Sequence, residues 1–502
     1  MKKILYIEND PASVILLKRI LSKEFEFESA NDDKEAINKV ENNEYDLILM
    51  DINLNSELNG EDLMRMFKKS EKSSKIPIFA VTTRAFGNEG ERLMEEGFAG
   101  YFAKPYDVNN LIKAIKFYLN EWKIKGSKLT IVERLAKFDK IFRKRLEFLP
   151  YHFYISFYSN QKKKFLKKLA NDYPNFEKRD IKSKPVTLWD IEFKTPLFNS
   201  AGMFKYSEGY YTVAMQGAGA WLAGTYTTQK RIGNMKKGVL HPFLPLPNSQ
   251  SSINWMGLPN EGIELAAKKI SQLERYNNTP IGASISADPG MKKEEVLPRL
   301  VEGLKLLDVA NVDFIELNES CPNVASEHSL VLDKLDPELV DRMEYISKNF
   351  LKDRNRNLPL ILKLSNDTDS SLIPYFIDLS IDLGFDGINL GNTSTDYSNL
   401  KQNLSVRERK LFNYFTNVYG GGVSGKNLKE KSKNLCKLVS EHIQNKNLSK
   451  EFHIIRTGGI ESAEDIKESK KIGVSLNQWY TAYFENFGIK GHNIYQDLSS
   501  NL

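Results

Sequence analysis

Between residues 197 and 479, short apolar runs recur eight times, and each is followed by a stretch of helical periodicity. They fall at residues 197–201, 220–226, 280–286, 314–317, 359–364, 387–390, 453–457 and 474–479. Parallel strands need a crossover between them, and eight strand–helix repeats close on themselves as a (β/α)8 TIM barrel. The chemistry of such a barrel lies at the carboxyl ends of its strands. The fourth run ends there in Asn318-Glu319-Ser320-Cys321-Pro322-Asn323, two amides bracketing a thiol, with a proline that stops the strand. Amides offer donors and acceptors to a polar planar ligand, and the thiol is placed to move a proton.

Two glycine-rich stretches follow the sixth and seventh runs, Gly420-Gly421-Gly422-Val423-Ser424-Gly425 and Thr457-Gly458-Gly459-Ile460. Both read as loops, and the backbone N–H groups of such loops, backed by a helix N-terminus, hold a phosphate without a cation.

The first 120 residues repeat the alternation on a smaller scale. Strand-like runs at 3–7, 47–50, 78–81 and 101–103 alternate with amphipathic segments, which predicts a doubly wound, flavodoxin-like parallel sheet with function at the strand ends. Glu8, Asn9, Asp10, Asp51, Thr82 and Lys104 fall at those ends. Acids, a lysine and a hydroxyl together suit Mg²⁺ and a phosphoryl group, with one carboxylate as acceptor.

The predicted order is therefore α/β throughout: a module at 1–122, a basic aromatic-rich helical linker at 123–184, and the barrel at 185–502. Residues 121–185 hold 18 Lys/Arg against 7 Asp/Glu, a balance of +11 in a chain whose total is +6, so the remainder is net −5. Basicity confined to one segment argues against a nucleic-acid partner. The linker reads equally as a spacer packed on its neighbours and as a surface for an anionic membrane. Two cysteines, Cys321 and Cys436, imply no disulfide framework, and no apolar run is long enough to span a bilayer. The expected location is the cytoplasm, including the inner face of the membrane.

The front module resembles the receiver domain of two-component response regulators. The resemblance rests on Tyr6-Ile7-Glu8-Asn9-Asp10-Pro11, Leu49-Met50-Asp51-Ile52-Asn53-Leu54, Ala80-Val81-Thr82 and Ala103-Lys104-Pro105. It implies a sensor histidine kinase as partner and Asp51 as phospho-acceptor. It also implies a Mg²⁺ site of Glu8, Asn9, Asp51 and Asn53, with Lys104 on the phosphoryl group and Thr82 and Tyr101 as the switch. Asn9 stands where the family usually has an acid, which leaves open a receiver that only docks.

The barrel resembles the dihydroorotate dehydrogenase family of FMN enzymes. The motifs run in order as Asn199-Ser200-Ala201-Gly202, Ile253-Asn254-Trp255-Met256-Gly257-Leu258-Pro259-Asn260, Leu317-Asn318-Glu319-Ser320-Cys321-Pro322-Asn323, Leu362-Lys363-Leu364, Gly391-Asn392-Thr393-Ser394, Gly422-Val423-Ser424-Gly425, Thr457-Gly458-Gly459 and Gln478-Trp479-Tyr480-Thr481-Ala482. By resemblance, dihydroorotate is oxidised to orotate in pyrimidine biosynthesis, with a quinone or fumarate as electron acceptor. Asn254, Asn318, Asn323, Asn392 and Thr393 hold the substrate, and Cys321 is the base. Ala201, Gly202, Lys205, Thr225, Lys363, Gly422, Ser424, Gly425, Gly458, Gly459, Tyr480 and Thr481 hold FMN. A homodimer stays open.

The subclass signals are mixed. A cysteine base resembles the soluble enzymes, whereas Ala201-Gly202-Met203-Phe204-Lys205 and the basic extension resemble the membrane-associated ones. Glu319 and Arg456 are unusual beside their motifs. Strand alternation turns Glu319 outward, while Arg456 stands either against the cofactor or in place of another group. Two rival readings remain: a signalling protein with a repurposed barrel, and a flavoenzyme for another cyclic amide.

Overall fold

The computed structural model describes all residues except 1, 75, 83–91, 94–95, 105–110, 113–114, 117–118, 120–128, 147–148, 321–335, 355, 445 and 447. The chain divides into two compact units, Met1–Arg143 and Lys144–Leu502. The division falls inside the helix Ile131–Leu146, not at a boundary of the linker expected from composition.

The first unit is a five-stranded parallel sheet of β1 (Lys3–Ile7), β2 (Glu26–Ala30), β3 (Leu47–Asp51), β4 (Ile78–Thr82) and β5 (Gly100–Ala103), ordered β2-β1-β3-β4-β5. β3 and β4 are buried along their whole length, as the apolar runs require for strands covered on both faces. β2, Glu-Phe-Glu-Ser-Ala, is the edge strand and too polar to show as a run. Gly60 is required where it stands, because a Cβ there would lie 2.2 Å from the Asp51 carbonyl oxygen.

Thr130 and Glu133 open the helix Ile131–Leu146 with reciprocal bonds: Thr130 N–H donates to Glu133 at 2.8 Å and Glu133 N–H to the Thr130 hydroxyl at 3.2 Å. Further along this helix, Phe138 stacks on Tyr101 of β5, with centroids 4.7 Å apart and planes at 28°.

In the second unit, eight parallel strands form the barrel. They are Leu197–Asn199, Trp221–Tyr226, Ile281–Ile285, Phe314–Asn318, Leu360–Leu364, Gly387–Leu390, His453–Thr457 and Leu476–Trp479. The first pairs with the eighth. It meets the second through Gly202 N–H to Gly224 O at 2.6 Å and Gly224 N–H to Phe204 O at 2.8 Å.

Over the barrel lies an antiparallel sheet of Phe243–Leu246, Ser251–Asn254 and Gly422–Gly425. The glycine stretch expected to be a loop is thus a strand at its end, pairing Ser252 with Ser424 and Asn254 with Gly422. Its glycines allow the approach: a Cβ on Gly425 would lie 2.5 Å from the Gln250 carbonyl oxygen, at φ +107°.

The helix Tyr151–Ala170 covers this sheet. Tyr154, Ile155 and Tyr158 join Leu244, Leu246 and Ile253 in one buried cluster, and Phe243 N–H donates to Ser159 Oγ at 2.9 Å. The inner aromatic residues of the basic segment are therefore core, not a lipid-facing surface. Beyond that helix, Asp172 pairs with His492 at 2.8 Å, His492 with Gln216 at 2.8 Å, and Tyr483 donates to Gln216 at 2.9 Å, all buried. Among the described residues no helix is long and apolar enough to cross a membrane.

Candidate active site

A cavity of about 990 Å³, part of it open solvent, lies at the carboxyl ends of the barrel strands. Its lining brings together Ala201, Gly202, Lys205, Thr225, Asn254, Asn318, Lys363, Asn392, Thr393, Ser424, Gly425, Gly458, Gly459, Tyr480 and Thr481, drawn from nearly the whole length of the barrel sequence. Gly422 does not line it; it is taken up in the sheet opposite Asn254. Cys321 and Asn323 lie outside the described residues.

Under the cavity a buried carboxylate, Glu316, organises the lining. Its Oε1 accepts from Lys363 Nζ at 2.9 Å and Ser284 Oγ at 3.1 Å. Its Oε2 accepts from Asn389 Nδ2 at 2.7 Å and Gln478 Nε2 at 2.8 Å. Ser284 Oγ lies 3.0 Å from Thr225 Oγ1, which accepts from Asn318 Nδ2 at 2.8 Å. Four donors compensate the charge of Glu316, and the chain of bonds fixes where Lys363 and Asn318 stand. Sequence reasoning missed Glu316, although it is the only acid inside the apolar run Phe314-Ile315-Glu316-Leu317.

Asn318 and Asn392 are joined through Ser320, whose hydroxyl donates to Asn318 Oδ1 at 2.9 Å and accepts from Asn392 Nδ2 at 2.9 Å. Beside them the Thr393 hydroxyl is shut from solvent without a partner among the described residues, a group that a ligand in this cavity would satisfy. Elsewhere in the lining, Ser424 and Thr481 meet Ser252 with oxygens 2.8–3.2 Å apart. With Gly425, Gly458, Gly459 and the N-terminus of the helix Thr481–Lys490, they form a cradle for an anion. Glu461 shares the lining, and burial raises its carboxyl above the usual range.

Two unusual residues find their places outside the cavity. Glu319 pairs with Arg342, Nη2 to Oε2 at 2.9 Å. Arg456 is fully buried behind the Gly458-Gly459 stretch, donating to Ser432 and Ser469 hydroxyls at 3.0 Å and to the Lys429 carbonyl at 2.7 Å. It braces helices and does not line the cavity.

Lys162, on the helix Tyr151–Ala170, was also missed. Its Nζ is shut from solvent without a hydrogen-bond partner among the described residues, 3.7 Å from the centroid of Phe243 and 4.6 Å from that of Tyr480. Burial holds it well below the usual lysine range, helped by the charge of Lys205. The linker thus reaches a residue of the cavity wall.

Residues 183–502 match the family model described as dihydroorotate dehydrogenase. The chain belongs to the dihydroorotate dehydrogenase family. Its barrel is therefore that of an oxidoreductase acting on a CH–CH bond. The dihydroorotate dehydrogenase (quinone) of Nautilia profundicola is 30% identical over 311 residues, 61% of this chain and 76% of that protein. That of Pseudoalteromonas atlantica is 26% identical over 319 residues, 63% of this chain and 88% of that protein. The fold matches the crystal structure of the Eimeria tenella enzyme in complex with ferulenol, with TM-score 0.55 and 19% identity, over 68% of this chain and 89% of that one.

Residues 4–116 match the response regulator receiver domain, so this dehydrogenase-family barrel is fused to a receiver. There Lys104 Nζ lies 2.6 Å from both Glu8 Oε2 and Asp51 Oδ2. Burial works against its charge, but the hydrogen bonds it donates to Asp51 and Glu8 outweigh it and raise the ammonium above its usual value. Asp10 is not part of the cluster: its carboxylate caps the helix Pro11–Leu21 through Ala12 and Ser13 N–H. Asn53 N–H donates to Asp51 Oδ1 at 3.0 Å, and Thr82 is buried at the end of β4. Among the described residues no group of three or more His, Cys, Asp or Glu is placed to hold a metal ion.

Proposed function

We propose that this dehydrogenase-family protein oxidises dihydroorotate to orotate for pyrimidine synthesis, with bound FMN and a quinone as electron acceptor, under control of its receiver. The observation that carries the reading is the shared lining of one cavity by an amide cluster and an anion cradle, with Lys205 and Lys363 in the same wall. The relatives are named quinone enzymes, which favours a quinone over fumarate.

FMN, when bound, supplies the two-electron acceptor. Ser424, Thr481, Gly425, Gly458 and Gly459 are the residues that would hold its phosphate. Asn318 spends one N–H on Thr225 and accepts twice from Ser320, so among the described residues one N–H remains for the substrate. Lys363 keeps a donor beyond its bond to Glu316, and its charge is balanced before any ligand arrives. Cys321 takes the substrate proton, for which its thiol needs to be lowered from about 8.5.

For control, a sensor histidine kinase would phosphorylate Asp51, with Mg²⁺ held by Glu8, Asn9, Asp51 and Asn53. The Tyr101–Phe138 stack supports this reading, because it joins the switch residue to the helix leading out of the receiver.

The test is anaerobic mixing of the purified yellow protein with dihydroorotate. The parent should bleach and then reoxidise faster with a quinone than with fumarate. Cys321→Ala should keep its flavin and bleach more slowly by roughly 10² to 10⁴. A colourless parent, or a variant that bleaches at the parent rate, sinks the proposal.

A further inference from the structure

One exposed feature belongs to neither site. Met235–Lys236 and Val239–Leu240 form a two-stranded hairpin, closed by Lys237 and Gly238 at φ +50° and +74°. Two successive positive φ values make the tight turn that matches strand twist, so the hairpin is a rigid projection. Val239 is buried in the cluster under the helix Tyr151–Ala170. Met235 on the ladder and Ile232 on the strand's approach are apolar and bare, 67% and 73% exposed.

Around them stand Lys230, Arg231, Lys236 and Lys237. Lys230, Lys236 and Lys237 are exposed, and the sequence has no acid at all between Glu208 and Glu261. Outside the linker the chain is net acidic, so this is a local reversal of charge and not a general coat.

The root of the hairpin is bonded to the cavity wall. Arg231 and Asn260 exchange backbone bonds of 3.1 and 3.0 Å, and Asn234 N–H donates to Met256 O at 2.8 Å. Arg231 Nε donates to Gly257 O at 3.3 Å. Met256, Leu258 and Pro259 line the cavity. At the base, His241 is held below its usual range by burial, and then by the charges of Lys205, Lys163 and Lys162.

We infer that the hairpin around residues 230–240 is a lipid contact. Ile232 and Met235 enter the headgroup region of an anionic bilayer, while Lys230, Arg231, Lys236 and Lys237 meet its phosphates. A protein partner fits less well: a stable protein interface buries about 800 Å² per side, whereas this tip offers two apolar side chains ringed by cations. Because the root is part of the cavity wall, docking turns this wall toward the membrane. This consequence, though not the lipid contact, rests on the reading of the cavity as a quinone-linked site.

The test is co-sedimentation of the full chain with vesicles of phosphatidylcholine alone or with phosphatidylglycerol added, at low and high salt. Binding should need phosphatidylglycerol and weaken as salt screens the lysines. One lysine near an anionic surface is worth about a fivefold gain in partition, so the triple variant Lys230→Glu, Lys236→Glu, Lys237→Glu should lose on the order of 10²-fold or more. The double variant Ile232→Ser, Met235→Ser should lose about tenfold, from the apolar area it keeps out of the lipid. In Met235→Trp, brominated lipid should quench the new fluorescence. Binding unchanged in both multiple variants, or no quenching, overturns the inference and assigns any binding to another surface. Flavin reduction by dihydroorotate without vesicles should match the parent in every hairpin variant. A parent that binds vesicles through the hairpin yet never reduces flavin would sink the proposed activity and leave the lipid contact standing.

Discussion

The barrel and the receiver each hold a lysine against a buried glutamate near the ends of parallel strands, and they use the pair in opposite ways. In the barrel, Lys363 and Glu316 are sealed, with side chains 3% and 1% exposed, and every oxygen of the carboxylate is bonded. In the receiver, Lys104 is 18% exposed and shared between Glu8 and Asp51. A sealed pair fixes geometry, since moving any member strands a charge in low dielectric. An open, shared pair can exchange partners, because water or an incoming group replaces whatever is lost. One module thus holds a site still while the other leaves a site free to change.

The largest test of that contrast is its energy. Glu316→Ala removes the partner of a buried ammonium and should cost about 3–5 kcal/mol. Lys104→Met should cost less, and Mg²⁺ should restore part of it by replacing the lost cation between Glu8 and Asp51. Urea unfolding with and without Mg²⁺ measures both; equal losses, with no Mg²⁺ effect on either, would erase the distinction.

A smaller effect concerns the exchange itself. Acetyl phosphate with Mg²⁺ should label the parent and leave Asp51→Asn unlabelled. Asn9→Asp should tighten Mg²⁺ several-fold, because a formal charge is added to a hard oxygen site. Labelling of Asp51→Asn equal to the parent would remove Asp51 as acceptor, and the receiver would then be a docking module.

The smallest effect is a pH slope confined to the receiver. Burial, and after it the charge of Arg134, pulls Lys68 down to about 8. An unfolded lysine titrates at about 10.4. Between these values the unfolded chain holds the proton and the folded one does not, so this group adds stability as pH rises from about 8 to about 10.4 and contributes no slope below 8. Lys68→Met should flatten that rise in the urea midpoint. A parent and variant that change in parallel across the range would show that Lys68 titrates normally.

Much of this was legible in the residues. Short apolar runs between helical segments placed all eight barrel strands and four of the five receiver strands. β2 escaped because an edge strand with Glu26 and Glu28 needs no apolar run. Asn254, Asn318, Asn392, Lys363 and the Gly458-Gly459 pair were placed by motif, and they meet in one cavity. Gly422–Gly425 was misjudged because glycine marks a turn in isolation, and only the facing Ser251–Asn254 makes it a strand.

By itself the sequence determined the two parallel-sheet modules, their order, and the polar residues at the strand ends. Local periodicity controls those features, since a strand run and its crossover are complete within roughly thirty residues. Only the tertiary structure decided that Glu316 gathers Lys363, Ser284, Asn389 and Gln478. It also decided that Arg456 braces helices and that the aromatic face of the linker is core. Alternation along a strand says which face a side chain takes. The partner waiting on that face comes from segments 32 to 162 residues away, and only closure of the barrel brings it within bonding distance.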